Sequence, residues 1–414
     1  MTRQNRVVIT GVGVLAATGI GVDSFWKALL EGRSGIRAIT AFDASDLTCR
    51  IAGEIPGFDP SAHIGAEFKP VRWGRTSQLA AVAAGEALRS AGLVNGKLPT
   101  RERIPVYLGV STSDTGIIEK QVLRISQRGG RSASPMTAIS SLPQAAAGAI
   151  VRALGLNANA ITFSTGCPAG LDAIGHAMDQ IQDGHADVAL AGGSDAPITM
   201  LTVATFCAGG GVSCNNEHPQ EASRPYDLRR DGGVVAEGAS VVVLENCAHA
   251  LARGARIFAE IVSYGAATDS DAGLPGCGLE WSMRLALMNA GMLPSDVDYV
   301  CGHGPSDPLL DAVEVDMVKR CLGGQAYKVA LSSIKGSIGN PLAAAGGCQL
   351  VSSALSLVDG IIPPIANYRV PDPRCDLDCV AGSPRHAHPR VALINNHGFG
   401  GSNSTLVVRR WEGL

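Results

Sequence analysis

Short β-branched runs alternate with segments of helical period along nearly the whole chain, and this alternation constrains the fold more than any other feature. Arg6–Thr10 (RVVIT), Val106–Val110, Ala160–Phe163 and Asp187–Ala191 read as strands, the last ending in Gly192-Gly193. Asp23 and Ser24 offer caps to a helix carrying Phe25, Leu29 and Leu30 on one face, and Ser77–Ala91 reads as a second helix. Val234–Leu244 is β-rich, and the polar stretch Glu245–Arg256 after it reads as a boundary. The second part repeats the style. Strands are expected at Ile257–Ser263, Tyr299–Cys301, Val329–Ser332, Val391–Asn395 and Ser404–Val408, with helices near Ser282–Ala290, Leu310–Cys321 and Leu342–Val358. At 414 residues the chain exceeds what one core supports. The expectation is an α/β protein of two units, 1–250 and 251–414, packed as one body without a flexible linker.

Composition narrows the function. Only 17% of residues are charged and the formal net charge is −3, without long runs, so nothing invites nucleic acid or an anionic membrane. No apolar stretch reaches the roughly 18 residues of a membrane span, and MTRQNRVVITG lacks the apolar segment of a signal peptide, so a cytoplasmic location is expected. The eleven cysteines form no C-x-x-C pair, which speaks against a zinc ribbon or a disulfide framework. No metal site is expected.

One cysteine stands apart. Cys167 lies where the strand Ala160–Phe163 gives way to a helix with Leu171, Ile174, Met178 and Ile181 at spacings of three and four. Gly166 permits a tight turn, and Pro168 suits a first helical position. Cys167 is then the expected cap, near the positive end of the helix dipole, where a thiol pKa is lowered. Such an elbow presents a nucleophile. The alternative is a buried structural cysteine.

Three further stretches are rich in glycine and polar residues: His303-Gly304-Pro305-Ser306-Asp307-Pro308, Ser333-Ile334-Lys335-Gly336-Ser337-Ile338-Gly339-Asn340, and Asn395-Asn396-His397-Gly398-Phe399-Gly400-Gly401-Ser402-Asn403. In this order and spacing, with VVITGVGVLAATGIG at the start and SRPYDLRRDGGVVAEGASVVVLEN between, the chain resembles the β-ketoacyl-acyl carrier protein synthases, thiolase-fold condensing enzymes. The resemblance implies two similar fused α/β halves in five layers, usually dimerised. It implies that Cys167 takes an acyl chain as a thioester, and that the enzyme joins it to a malonyl-type extender by decarboxylative Claisen condensation. His303 then stabilises the enolate, Lys335 holds the charge network, and the N–H groups of Cys167 and Phe399 form the oxyanion hole. Phe399 also matches a gate beside the acyl pocket, and Asp311 and Glu314 match supporting acids. No bound cofactor is implied, since the substrate rides on the phosphopantetheine of acyl carrier protein. The implied partners are that carrier and a second copy or another ketosynthase-like subunit.

The chain also departs from the family. Asn340 stands where a second histidine is usual, Gln349 where a glutamate faces the lysine, His397 where phenylalanine is common, and Pro305 and Asp307 replace two threonines that contact pantetheine. Asn340 can donate a hydrogen bond but cannot carry a positive charge. His397 either packs or, with its ring inward, partly replaces the missing histidine. Three readings stay open: an active ketosynthase, an acyltransferase or non-decarboxylating condensing enzyme that keeps the Cys167 acyl step, and a non-catalytic partner resembling a chain-length factor. The absence of a second catalytic cysteine in the C-terminal glycine motif disfavours a thiolase. Lys69, Arg72 and Arg75 form either a solvated helix face or a docking patch for an acidic carrier. Gly11-Val-Gly13-Val-Leu-Ala16 reads as a tight turn rather than a dinucleotide fingerprint, and His386-Ala387-His388 as a surface loop.

Overall fold

Val7–Ala16 (β1) is buried along its whole length, so the strand expected to stop at Thr10 runs on through Gly11 and Gly13. The tight turn expected at those glycines is absent. They serve close packing instead: helix Arg75–Ser90 (α1) crosses this face so nearly that a Cβ at Gly13 would sit 2.1 Å from the Ala83 carbonyl oxygen. The chain reverses only afterwards, where Gly19–Ile20 pairs back onto Leu15 and Ala16. The computed structural model describes residues 5–93, 104–271 and 274–413. The first four residues of the N-terminal run therefore lie outside the described residues.

Apart from two-residue strands, one of which (Asp378–Cys379) extends the sheet beyond Ala330–Ser332, the remaining strands of the first half are Val106–Gly109 (β2), Ala160–Phe163 (β3), Val188–Asp195 (β4) and Gly238–Asn246 (β5). Those of the second half are Ala259–Thr268 (β6), Tyr299–Cys301 (β7), Ala330–Ser332 (β8), Val391–His397 (β9) and Ser402–Arg410 (β10). Their order in space is β3-β2-β4-β5-β1 in the first half and β8-β7-β9-β10-β6 in the second. Renumbered within each half, both read 3-2-4-5-1. In each, the first three of these strands run parallel and the last two antiparallel. The halves join along β1 and β6, where Val7–Ile9 pairs with Ile261–Ala259.

Helices complete the repeat. Gln144–Leu154 (α2) packs with α1 on the outer face of the first half, and Gly278–Ala290 (α4) packs with Leu310–Leu322 (α5) outside the second. Ala169–Gln182 (α3) and Ala344–Asp359 (α6) lie against one another and touch strands of both halves. The layers are thus helix, sheet, helix, sheet, helix, the thiolase-like arrangement. Its central helices are made of small residues: Cβ atoms at Gly346 and Gly347 would collide with Leu171 and Ser240.

Several local expectations shift. The helix over Val22–Leu30 is capped at Gly21, because the Ser24 hydroxyl turns back onto the Ile20 and Gly21 carbonyls, inside the first turn. Strand β4 does not stop at Gly192-Gly193 but continues to Asp195, since a Cβ at Gly192 would clash with Ser240 of the neighbouring strand. Val234–Ala236 lies outside β5, and single bridges join Val235 to Asn340 and Ala236 to Gly53. The polar stretch Glu245–Arg256 is ordered: Glu245, still within β5, binds Thr10, His249 and Arg253, and Cys247–Ala252 is a short helix. Among the described residues, no helix is long and apolar enough to cross a membrane.

Candidate active site

Strand β3 ends at Phe163, and Gly166 turns the chain with φ of 77° into Cys167. Pro168, not the expected Cys167, occupies the N-cap of α3, so the cysteine lies one residue before the cap. It is also buried, with 2% of its surface exposed. Burial pushes the Cys167 thiol up to about 11, against the pull of the Lys335 ammonium and of donors from the Asn340 side chain and the Phe399 N–H. The lowered pKa expected from the helix dipole is therefore overturned: desolvation of a fully buried thiolate outweighs the helix end. At neutral pH this nucleophile is a thiol that must lose a proton as it attacks.

The His303 loop follows β7, and two buried acids hold it. Glu314 accepts hydrogen bonds from the backbone N–H groups of His303 (2.7 Å) and Gly304 (2.8 Å) and from the Tyr226 hydroxyl (2.7 Å). Asp311 accepts from the N–H groups of Tyr226, Ser306 and Asp307 and lies 3.4 Å from Arg230. Burial, then the nearby Lys335 and His397, holds His303 well below the usual imidazole range, so its ring is neutral. Its Nδ1 lies 2.8 Å from Asn396 Oδ1.

Lys335, in the short helix Lys335–Ile338, is 1% exposed and directs Nζ to the His303 carbonyl oxygen (2.5 Å), with Nδ1 of the same residue 3.2 Å away. Burial lowers its pKa. Gln349, on α6, makes no hydrogen bond to this lysine. Its amide nitrogen donates to the carbonyls of Cys301, Gly302 and Asn395, and its oxygen accepts from Asn396. Asn340 is buried, and its Oδ1 lacks a hydrogen-bond partner.

Cys167, His303, Asn340, His397 and Phe399 line one cavity, together with Pro305, Asp307 and Phe206. It admits water-molecule centres over only about 30 Å³, little more than one or two waters need. Phe399 is 61% exposed and packs edge-on against Phe206 at 5.4 Å. His397 faces inward: it lines the cavity, its Nδ1 is 2.9 Å from Asn403 Oδ1, and its ring meets that of His303 at 5.9 Å and 88°.

Elsewhere the basic group divides. Arg75 is committed to Glu237 (2.8 and 3.0 Å) and stacks over Phe58, because it begins α1 against the core. Lys69 and Arg72 remain exposed on short turns. Sequence reasoning missed Asn396, Asn403 and Phe206 as parts of the site. The two asparagines sit inside the glycine-rich stretch already singled out, but nothing in their spacing reveals their partners.

A cysteine at a strand–helix elbow, a neutral histidine and a buried lysine, built on a doubled 3-2-4-5-1 sheet, define a condensing enzyme of the acyltransferase class. A model described as "Beta-ketoacyl synthase, N-terminal domain" matches residues 4–250, and one described as "Beta-ketoacyl synthase, C-terminal domain" matches 258–369. The chain belongs to the β-ketoacyl synthase family. It is 42% identical over 424 aligned positions to "Putative polyketide beta-ketoacyl synthase 1" of Streptomyces cyaneus, covering 99% of this chain and 98% of that one. It is 36% identical to "3-oxoacyl-[acyl-carrier-protein] synthase 2" of Synechocystis sp., covering 99% of each. Among solved structures, "The ishigamide ketosynthase/chain length factor" superposes with a TM-score of 0.91 at 31% identity, over 98% of this chain and 99% of that one.

Proposed function

We propose that Cys167 accepts an acyl chain from acyl carrier protein as a thioester and that the enzyme joins it to a malonyl-type extender by decarboxylative condensation, in polyketide or fatty acid biosynthesis. The observation that carries this reading is the buried Cys167 thiol with the Phe399 N–H and the Asn340 amide both turned to it. As sulfur attacks the thioester carbonyl, negative charge collects on oxygen, where the N–H groups of Cys167 and Phe399 are the candidate donors. The carrier thiolate leaves and takes up the proton that Cys167 has lost. The malonyl carboxylate then departs as CO2. The resulting enolate oxygen faces the Asn340 amide and the His303 ring, which takes a proton from solvent at Nε2 as the charge develops. The enolate attacks the acyl carbon, and Cys167 leaves as a thiolate that recovers this proton. Lys335 supports His303 through its carbonyl oxygen, and Asp311 and Glu314 fix the loop that carries it.

The test is intact-mass analysis after incubation with acyl-carrier substrates. A mass increase on the wild-type protein and none on Cys167→Ala is expected; an equal increase on both sinks the reading. His303→Ala should abolish CO2 release from malonyl-carrier protein. Release at the wild-type rate would remove His303 from the decarboxylation.

No bound cofactor is required, since the substrate arrives on phosphopantetheine. Lys69 and Arg72 are the proposed carrier-docking cations. Reversing the charge at Arg72 should slow acylation from a carrier and spare small thioester mimics. A second copy, or another ketosynthase-like subunit, is proposed against the open edge of β3. The helix Thr115–Arg128 buries none of its residues, and Ile118, Val122 and Leu123 stand exposed on it. The division of the chain at residue 250 and a cytoplasmic location belong to the same reading.

A further inference from the structure

Both histidines of the cavity hold an asparagine oxygen at Nδ1, and each asparagine is fixed by what lies behind it. Gln349 is anchored first. Its amide nitrogen is 2.8 Å from the Gly302 carbonyl oxygen, 2.9 Å from that of Asn395 and 3.3 Å from that of Cys301. Turning this amide round would set its oxygen against three carbonyls in a buried site, so the nitrogen stays there. Its Oε1 must then accept, and Asn396 Nδ2 donates to it at 3.0 Å. That leaves Asn396 Oδ1 to face His303 Nδ1 at 2.8 Å. Since an amide oxygen only accepts, Nδ1 carries the proton.

The second chain is independent of the first and ends the same way. Asn403 Nδ2 donates to Asp269 Oδ1 (2.7 Å) and to the Gly401 carbonyl oxygen (2.9 Å). Reversing it would press an amide oxygen on a carboxylate. Its Oδ1 therefore meets His397 Nδ1 at 2.9 Å, and this ring too is protonated there. Lys335 Nζ, 3.2 Å from His303 Nδ1, has a nearer acceptor in the His303 carbonyl oxygen and need not donate to the ring.

We propose that Asn396 and Asn403 fix His303 and His397 as Nδ1–H tautomers, so that two Nε2 lone pairs serve the cavity around Cys167, with His397 standing in for the histidine replaced by Asn340. The two asparagines are positioning residues. The imidazoles are proton acceptors for the acyl transfer: as the Cys167 sulfur bonds the acyl carbon, its S–H bond breaks and the proton passes to an Nε2. The same proton then goes to the departing carrier thiolate, and the ring is neutral again. The assignment of protons rests on geometry alone. Its kinetic consequence rests on the acyl-transfer reading above.

Protein labelled with 15N in its histidines, observed by long-range 1H–15N correlation without substrate, reads the tautomers directly. His303→Gln and His397→Phe assign the two resonances. Nδ1 protonated and Nε2 bare is expected for both; an Nε2–H on either ring overturns the assignment for that ring. Should either variant fail to fold, neutron diffraction from the wild-type protein locates the same protons. Asn396→Ser should move the His303 proton toward Nε2, and an unchanged tautomer would end the claim for Asn396. His397→Phe should slow Cys167 acylation about 100-fold. Acylation at the wild-type rate would remove His397 from the reaction. A wild-type protein that never acylates would sink the proposed function while leaving the proton positions as measured.

Discussion

A thiol raised to about 11 is almost wholly protonated at pH 7 to 8, whereas an unperturbed cysteine titrates near 8.5. Raising the pKa favours the neutral form, so the rate of Cys167 alkylation by iodoacetamide should keep climbing through pH 9 and 10. Intact mass against time at each pH checks this, and a plateau by pH 8 would contradict it. The residue types needed to suspect Cys167 were legible, because Gly166 and Pro168 mark the elbow locally. Its proton affinity was not, because that is set by burial in the folded core, against which Lys335, Asn340 and Phe399, all far along the chain, pull the other way. The same holds for His303. Its place after a strand was readable, but its neutrality comes from burial in the core, then from Lys335 and His397.

Elements are where local sequence and tertiary demand diverge most instructively. In sequence Gly11 and Gly13 read as a tight turn that ends β1, yet they stand in the strand so that α1 can lie against its backbone. Gly13→Ala should therefore cost about 1–3 kcal/mol by denaturant unfolding, with the helix forced outward. Gly209, the last residue of the helix Met200–Gly209, has open space around it, and Gly209→Ala should be neutral or slightly stabilising in the same assay. Equal losses in the two variants would show that close approach is not what β1 glycines provide. The helices α4, α5 and α6 lie within a few residues of their expected bounds because their apolar periods are long. The caps were misplaced because the cap chemistry lies in backbone turns, as at Gly21 and Pro168.

At the scale of the whole molecule, α/β alternation was visible in the sequence, whereas strand order was not. Strand pairing is long-range, and a strand run such as Tyr299–Cys301 says nothing of its neighbours. The doubled 3-2-4-5-1 order leaves β3 as an open edge, and the helix Thr115–Arg128 of the same half is uncovered. Such an edge with exposed apolar residues is expected to be covered in solution. Ile161→Lys with Val122→Glu should turn a dimer into a monomer in size-exclusion chromatography with light scattering. A wild-type protein that runs as a monomer would refute the proposed interface. The two halves also meet at a point with almost no side chains. A Cβ on Gly170 of α3 would lie 2.3 Å, and one on Gly193 of β4 2.1 Å, from the same Ala343 carbonyl oxygen, while the Ala343 N–H donates to Asp195. Cys167 precedes Gly170 by three residues, and Asn340 precedes Ala343 by three. The spacing of nucleophile and amide is thus gauged by main chain resting on main chain, with no rotamers to relax, so thermal play in the surrounding side chains has little leverage on it.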